Sequence, residues 1–510
     1  MFVSTLLARA AARWPERTAV VDGDIRLTYR ELAARVLRLA NGLAGLGLEP
    51  GDRVLDLQRN GHTYVETDLA CAVAGVVRVP VNVRLTPAEW SYIAANAGAR
   101  GLVYGEEFED AVGELLDLPG LKVCVGIGGG GPGWDYEDLL SRSSATAPSH
   151  REAPDDIVSL NYSSGTTGKP KGCIRTAANR HASTVDTLLS IYEGTLAGDD
   201  VFLHAGPLTH ASGLFVLPHI AVGATQLILR RFDAEEVRGT LESSRVTATV
   251  LVPTMLERLL ATFGGEEPPR LPALRRLAYA GAPMPPDRIA RAHDLLAGRL
   301  VQFYGLVEAI PPLTVLSPAD HDVEHLRASA GRPVLGAALD VVDEAGRSLP
   351  LRQPGELMVG GLHVMDGYWA DEEATVKSVR DGWLHTGDIA WLGEDGYVRL
   401  VDRKADMIIT GGFNVMPREV ELVLGEADGV AEVAVVGLPD PAWGEAVTAF
   451  VVPAAGATLD SSGLLEHCAA RLSGFKKPKR IEIVSDLPRA STGKVSRSAL
   501  RAIGGQARNR

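Results

Sequence analysis

The sequence predicts an α/β protein of more than one domain, on three observations. Its 510 residues exceed what a single hydrophobic core usually supports. Helical and strand patterns alternate from Thr28 to about residue 330, the signature of layered α/β structure with mostly parallel sheets. After that the pattern changes twice, to short strands and turns from Gly331 to Arg399, and then to a self-contained α+β pattern beyond Asp402.

The elements follow in order. "MFVSTLLARAAARWPERTAV" carries arginines and no acid before Glu16, yet it lacks a sustained apolar region and a small-residue cleavage pattern, so an opening surface helix is expected. Thr28 with Glu31 makes a capping box, and Leu32, Val36, Leu39 and Leu43 follow at helical spacing, which predicts a helix ending near Gly47. "GDRVLDLQ" reads as a strand, "ETDLACAVAG" as a small-residue helix and "GVVRVPVNVRL" as a second buried strand. Gly126 to Gly133, "GIGGGGPG", is expected to be a surface turn. In the β-rich segment "AALDVVD", "EAGRSLP", "GELMVGG", "GWLHTGDIAWL" and "DGYVRLVDR" are read as short strands with turns. Beyond Asp402, Pro417 suits a first helical turn, "AEVAVVGL" and "AVTAFVVP" suit strands, "GLLEHCAARL" a helix and "KRIEIVSDLP" a last strand.

Composition narrows the function classes. Hydrophobic residues at 46% and charged residues at 23% are ordinary for a globular protein. A net charge of −13 argues against nucleic-acid and anionic-membrane partners, and no stretch reaches the roughly 18 apolar residues of a membrane span. Cys71, Cys124, Cys173 and Cys468 are scattered without CxxC spacing or nearby histidines, which argues against a zinc site or disulfide framework and fits a reducing cytoplasm. A small anion would need a dedicated pocket.

Such a pocket is suggested by "YSSGTTGKPKG", Tyr162 to Gly172, directly after the strand-like "DIVSLN". Glycines let the backbone approach an anion, hydroxyls and amides donate hydrogen bonds, and lysine adds charge, a combination that suits a polyphosphate. It is not a Walker A loop, because no Ser or Thr follows Lys169. The plain alternative, a flexible polar loop, accounts for the turn residues but not for the density of donors.

This loop resembles the signature loop of the adenylate-forming superfamily of acyl-CoA synthetases, firefly-type luciferases and peptide-synthetase adenylation domains. The resemblance extends in order through nearly the whole chain: "LTYREL", "GDRV", "PLTHASGL", "AGAPMP", "YGLVEA", "GELMVGGLHVMDGYW", "GWLHTGD", "DRKADMIITGGFNVMPREVE" and "LPRASTGKVSR". It implies a large N-terminal domain of two α/β layers plus a β-rich subdomain, and a small mobile C-terminal domain. Placed on this chain, the domains are 1–402, with the subdomain at about 331–400, and 403–510. It also implies a two-step reaction, in which a carboxylate attacks the α-phosphate of ATP to give an acyl-adenylate and pyrophosphate, and a thiol then displaces AMP.

The resemblance implies roles residue by residue. Ser163, Ser164, Thr166, Thr167 and Lys171 belong to the nucleotide site, with Thr166, Thr167 and Lys171 on the β- and γ-phosphates. Gly281, Ala282 and Pro283 line the adenine slot with Tyr304 and Gly305, where Tyr304 would otherwise read as a core aromatic. Asp388 accepts the ribose hydroxyls, a task for which a carboxylate has the acceptors, and Arg403 reaches the same ribose. Glu308, set between Val307 and Ala309, matches the acidic ligand of magnesium, joined by Thr167, and magnesium takes hard oxygen ligands. His210 matches the residue beside the acyl carboxylate, although a lone histidine in apolar company otherwise reads as core. Lys494 matches the lysine that bridges carboxylate and α-phosphate. Gly411, Gly412 and Phe413 resemble a pantetheine-facing loop, so ATP, magnesium and CoA are the expected cofactors and co-substrates. Ala211, Ser212, Phe215, Gly281, Leu306 and Val307 complete a roomy hydrophobic acid pocket around His210.

Two positions depart from the pattern. Family members usually place Thr or Ser before the magnesium glutamate, where its hydroxyl donates to the α-phosphate; Val307 has no donor there. Ala405 stands at the hinge position that commonly holds Asp or Lys. The leading expectation is an acyl-CoA ligase acting on a hydrophobic carboxylic acid. Four others stand beside it: an enzyme that mainly transfers a supplied acyl-adenylate to CoA and depends on a partner adenylating enzyme, a stand-alone enzyme loading a carrier protein, a luciferase-like oxidase, and a nucleotide-binding protein without catalysis. A homodimer is compatible with all of them.

Overall fold

The computed structural model describes residues 3–163, 169–264, 269–296, 298–441, 443–490 and 494–506. By internal packing the chain divides into two units, Met1–Leu339 with Val359–His385, and Asp340–Met358 with Thr386–Arg510. The fold is mixed α/β, with the large sheets in the N-terminal part and a smaller α+β unit after them.

The first unit holds two sheets. The nine-stranded sheet runs in the order Arg332–Pro333, Thr314–Leu316, Leu300–Tyr304, Arg276–Tyr279, Ala248–Leu251, Val201–His204, Thr225–Ile228, Thr18–Asp22, Ile25–Thr28. Its central strands, from Leu300–Tyr304 to Thr18–Asp22, are parallel, and antiparallel strands close both edges. The seven-stranded sheet runs Trp134–Asp135, Val123–Ile127, Ala99–Gly105, Arg53–Leu57, Val77–Pro80, Ile157–Ser163, Lys171–Thr176. Only its last pair is antiparallel. Val20 and Ile228 of one sheet and Val54, Val103 and Val125 of the other share one core with helices Tyr29–Gly45 and His62–Ala74.

Local chemistry sets these elements as expected. Val3–Arg13 is the opening helix. Thr28 and Glu31 form the capping box of Tyr29–Gly45, which buries Leu32, Val36, Leu39 and Leu43. Thr86 and Glu89 make a second box, with Pro87 in the first turn of Pro87–Ala97.

A five-stranded sheet, Ala337–Val342, Gly355–Gly361, Trp383–Leu392 and Val379–Arg380 with Val398–Arg403 on Trp383–Leu392, occupies the β-rich segment. "EAGRSLP" contributes only the isolated bridge between Val342 and Ser348, because the Asp343 carboxylate accepts the Ala345 and Arg347 amides and holds a turn. In the second unit Val430–Asp440 and Gly444–Pro453 form a long hairpin joined by Ile408–Thr410, Phe413–Val415 and Arg480–Ile483. Pro417 opens its helix Pro417–Gly425. A last helix, Arg497–Gln506, was not anticipated and buries Leu500.

Candidate active site

Three loops converge through topology. Strands Val201–His204, Arg276–Tyr279 and Leu300–Tyr304 lie parallel in one sheet, so the chain after each leaves at the same C-terminal edge, where open α/β sheets bind ligands. The first loop carries exposed His210 and half-buried Ala211. The second carries Gly281, Ala282 and Pro283, and Gly281 adopts φ +90°. The third carries half-buried Leu306, Val307 and Glu308 directly after Tyr304 and Gly305.

The third loop is firmly held. The Leu313 amide donates to the Tyr304 carbonyl at 2.8 Å, and Gly305 is required because a Cβ there would come within 2.6 Å of the Pro311 ring. Ala309 bridges Val364, while the Met365 amide donates to the Glu308 carbonyl at 2.9 Å. Helix Ala177–Asp186 clamps both stretches from one face. Asn179 Nδ2 donates to the Leu362 and Val364 carbonyls, Ser183 Oγ to the Pro311 carbonyl, and Asp186 meets His363 Nε2 at 2.8 Å. The other nitrogen, His363 Nδ1, donates to the Ile310 carbonyl at 2.6 Å. Glu308 itself is partnered in its apolar surroundings: the Tyr368 hydroxyl donates to Oε1 at 3.1 Å.

Strand Lys171–Thr176 faces this loop from the other sheet. Alternation puts Lys171, Cys173 and Arg175 on one face. Lys171 Nζ lies 3.4 Å from Asp371 and 5.2 Å from the centre of the Tyr368 ring. Burial, followed by the nearby Glu308 carboxylate, pushes the Cys173 thiol well up. Ser163 pairs with Lys171 across the hairpin, whereas Ser164, Thr166 and Thr167 lie outside the described residues.

The His210 loop is pinned from behind by a directed chain. Gln226 Nε2 donates to the Val216 carbonyl, so Gln226 Oε1 accepts from His204 Nε2 at 2.6 Å. His204 Nδ1 is therefore the acceptor for the Ser212 hydroxyl at 2.8 Å. Burial lowers His204 to about 3, so the ring is neutral and the direction is fixed. Ser212 and Phe215 sit in the core behind the loop, and Phe215 stacks on Phe202 at 4.7 Å.

In the second unit Asp388 and Arg403 are cross-strand partners. Arg403 Nε donates to Asp388 Oδ1 at 3.1 Å, and Asp388 is only 6% exposed. Exposed Ala405 lies in the single turn Lys404–Asp406. Gly411 and Gly412, at φ +57° and +81°, form the two-residue turn between Ile408–Thr410 and Phe413–Val415, a geometry that by itself calls for glycine. Phe413 is exposed and stacks on Phe475 at 4.7 Å, and Lys479 Nζ lies 4.3 Å over the Trp443 ring. Phe475, Trp443 and Lys479 were not singled out from the sequence, although "GFKKPK" already places an aromatic beside lysines. Lys494 is exposed, and its carbonyl accepts from the Ala490 amide at 2.7 Å.

Among the described residues no group of three or more His, Cys, Asp or Glu side chains could hold a metal. Magnesium arriving with a polyphosphate needs only one or two protein carboxylates, and Glu308, with one oxygen steadied by Tyr368, fits that requirement.

Loops at one edge of a parallel sheet, a lysine strand facing a held carboxylate, and a small unit bearing an Asp–Arg pair are features that the resemblance to adenylate-forming enzymes implies. Residues 7–369 match the AMP-binding enzyme family and residues 419–494 its C-terminal domain, and the chain belongs to that family. Feruloyl-CoA synthase of Amycolatopsis sp is 39% identical over 500 residues, 97% of each chain. Indoleacetate–CoA ligase of Aromatoleum aromaticum is 34% identical, over 99% of this chain and 98% of its own. ATP-bound MatB from Rhodopseudomonas palustris superposes with TM-score 0.90 at 30% identity, over 99% of both chains. This chain is an acid–thiol ligase of the acyl-CoA synthetase type.

Proposed function

We propose that the enzyme joins a hydrophobic carboxylic acid to ATP as an acyl-adenylate, releases pyrophosphate, and passes the acyl group to CoA. The observation that carries this reading is Glu308, held on the loop after a central parallel strand and oriented by Tyr368, with Lys171 on the strand facing it. Lys171, with Ser163, Ser164, Thr166 and Thr167, binds the phosphates, and Gly281, Ala282, Pro283, Tyr304 and Gly305 bind adenine. Asp388 and Arg403 hold the ribose. Magnesium on Glu308 and Thr167 supplies charge neutralisation when bound. His210 orients the acid carboxylate beside Ala211, Leu306 and Val307, and Lys494 steadies the two anions as they approach. Gly411, Gly412 and Phe413 guide CoA, and the chain turns at Ala405 between the two steps.

The acid is proposed to be aromatic, because the relatives named for feruloyl and indoleacetate substrates span this chain almost end to end. Membership of an enzyme family weighs against a non-catalytic nucleotide binder. Free buried Cys71, Cys173 and Cys468 support a reducing, cytoplasmic setting, and among the described residues no helix is long and apolar enough to cross a membrane. The second reading, efficient transfer from a supplied adenylate with slow adenylation, is favoured by one observation, the missing hydroxyl at Val307.

The test separates the half-reactions. Lys494→Ala should abolish pyrophosphate release from acid and ATP while leaving thioester formation from a synthetic acyl-adenylate and CoA largely intact. Equal loss of both would remove Lys494 from the proposed role.

A further inference from the structure

Among the described residues the Arg175 guanidinium has no ion-pair partner. Its terminal nitrogen donates to the Val307 carbonyl at 3.3 Å, a long bond to a neutral acceptor. Its Nε is buried and has no hydrogen-bond partner among the described residues. The carboxylate that acts on it is Glu308, which makes no ion pair with it and is bonded by Tyr368 instead. Burial pulls the guanidinium down to about 10, yet the side chain keeps partial exposure. Arg175 shares its face of the strand with Lys171 and Cys173, the face that meets the Glu308 loop. Val307, which it touches, packs with Ala211, Leu306 and Phe215 in one apolar cluster.

A cation at the edge of an apolar cluster is costly until an acceptor satisfies it. The guanidinium offers a planar fork of donors suited to a carboxylate. A hydrocarbon acid would leave that fork unanswered.

We propose that Arg175 selects the acid by receiving an anionic or strongly accepting oxygen carried away from the reacting carboxylate. This rests on the acyl-CoA ligase reading and on Val307 lining the acid pocket. The favoured substrate is an aromatic acid with a second carboxylate; a phenolic hydroxyl offers the same acceptor chemistry without the charge. Discrimination should be about a hundredfold, below the roughly ten-thousandfold of a fully enclosed hydrogen-bonding site, because the side chain is partly exposed.

The experiment uses three acids of one shape: 3-phenylpropanoate, 3-(4-hydroxyphenyl)propanoate and 3-(4-carboxyphenyl)propanoate. CoA-dependent pyrophosphate release gives kcat/KM for each with the wild-type enzyme, Arg175→Met and Arg175→Lys. The wild type should prefer the carboxyphenyl acid over the phenyl acid by about a hundredfold, with the hydroxyphenyl acid between them. Arg175→Met should bring the three within about threefold, and Arg175→Lys should keep part of the preference. Should Arg175→Met fail to fold, calorimetry of the three acids on the wild type and Arg175→Lys reads the same ranking. Turnover of all three acids with no preference in the wild type overturns the inference and leaves the ligase reading standing. A uniform loss in Arg175→Met, with a raised KM for ATP and an unchanged ranking of acids, also overturns it and assigns Arg175 to the nucleotide. Binding of none of the acids sinks the inference and the aromatic-acid reading together.

Discussion

The Tyr368 hydroxyl donates to Glu308 Oε1 at 3.1 Å, joining positions 60 residues apart in the chain. Burial, and then the Glu308 carboxylate, push the phenol well up, so Tyr368 stays a donor through the working pH range. One carboxylate oxygen is thereby occupied and the orientation of the group is set.

Removing that donor should loosen the proposed metal site without emptying it. Tyr368→Phe should weaken divalent-ion affinity in the presence of ATP by about tenfold, the lower end for loss of a group that orients a ligand. Manganese binding followed by electron paramagnetic resonance reads this without turnover. Unchanged manganese affinity would reduce the contact to packing.

The pairing of Asp388 with Arg403 gives a graded expectation. Asp388→Ala should weaken ATP and a non-hydrolysable acyl-adenylate alike, by about tenfold to a hundredfold, because both present the same ribose hydroxyls to a charged acceptor. Arg403→Ala should cost less, since Arg403 is half-exposed and its bond to Asp388 is partly replaceable by water. Calorimetry showing unchanged affinity for either nucleotide would remove Asp388 from the ribose.

Much of this fold was legible because local rules wrote it. Thr28 with Glu31 and Pro417 act within a turn or two of chain, and the strand pattern of Arg53–Leu57 needs only its own residues. The candidate loops were legible as motifs, and the parallel order of three strands explains why separate motifs leave at one edge. Partnerships across sheets were not legible. Nothing in the sequence links Tyr368 to Glu308 or Arg175 to Val307, because each depends on register and side-chain reach that only the packed sheets define. Ser212 reads from the sequence as a small residue of the acid pocket, and the bond of its hydroxyl to buried His204 is a contact that reading does not contain. Helix Arg497–Gln506 was hidden by arginines and a glycine pair that weaken its apolar pattern.

Three buried neutral histidines set an acid limit on stability. Burial lowers His204 to about 3, and His219 and His321 to about 4. His219 and His321 share one arrangement, with Nδ1 donating to a carbonyl and Nε2 accepting from a tyrosine hydroxyl. The unfolded chain takes up these protons below about pH 6.5 and the folded chain does not, so stability falls as pH drops from about 6.5 towards 4. Each such group contributes about 1.4 kcal/mol per pH unit in that window. Thermal unfolding followed between pH 7.5 and 5 should show the fall, and His204→Gln, which cannot be protonated, should show a shallower one. An identical pH slope in the variant would mean that His204 is already protonated in the fold.

The last expectation concerns Val307, whose side chain packs against the cluster containing Phe215 and Ala309 while its carbonyl accepts from Arg175. The backbone position is thus fixed by the clamp around Glu308, and only the side-chain donor differs from the family pattern. A lost preorganised donor to developing charge typically slows a step by about a hundredfold to a thousandfold. If that donor serves the α-phosphate, Val307→Thr should raise pyrophosphate release from acid and ATP by about tenfold or more, while thioester formation from supplied acyl-adenylate changes little. Threonine matches valine in shape but adds a hydroxyl beside apolar neighbours, which costs stability wherever no acceptor meets it. Efficient adenylation by the unmodified enzyme, with no gain from the added hydroxyl, would show that Val307 costs the reaction nothing.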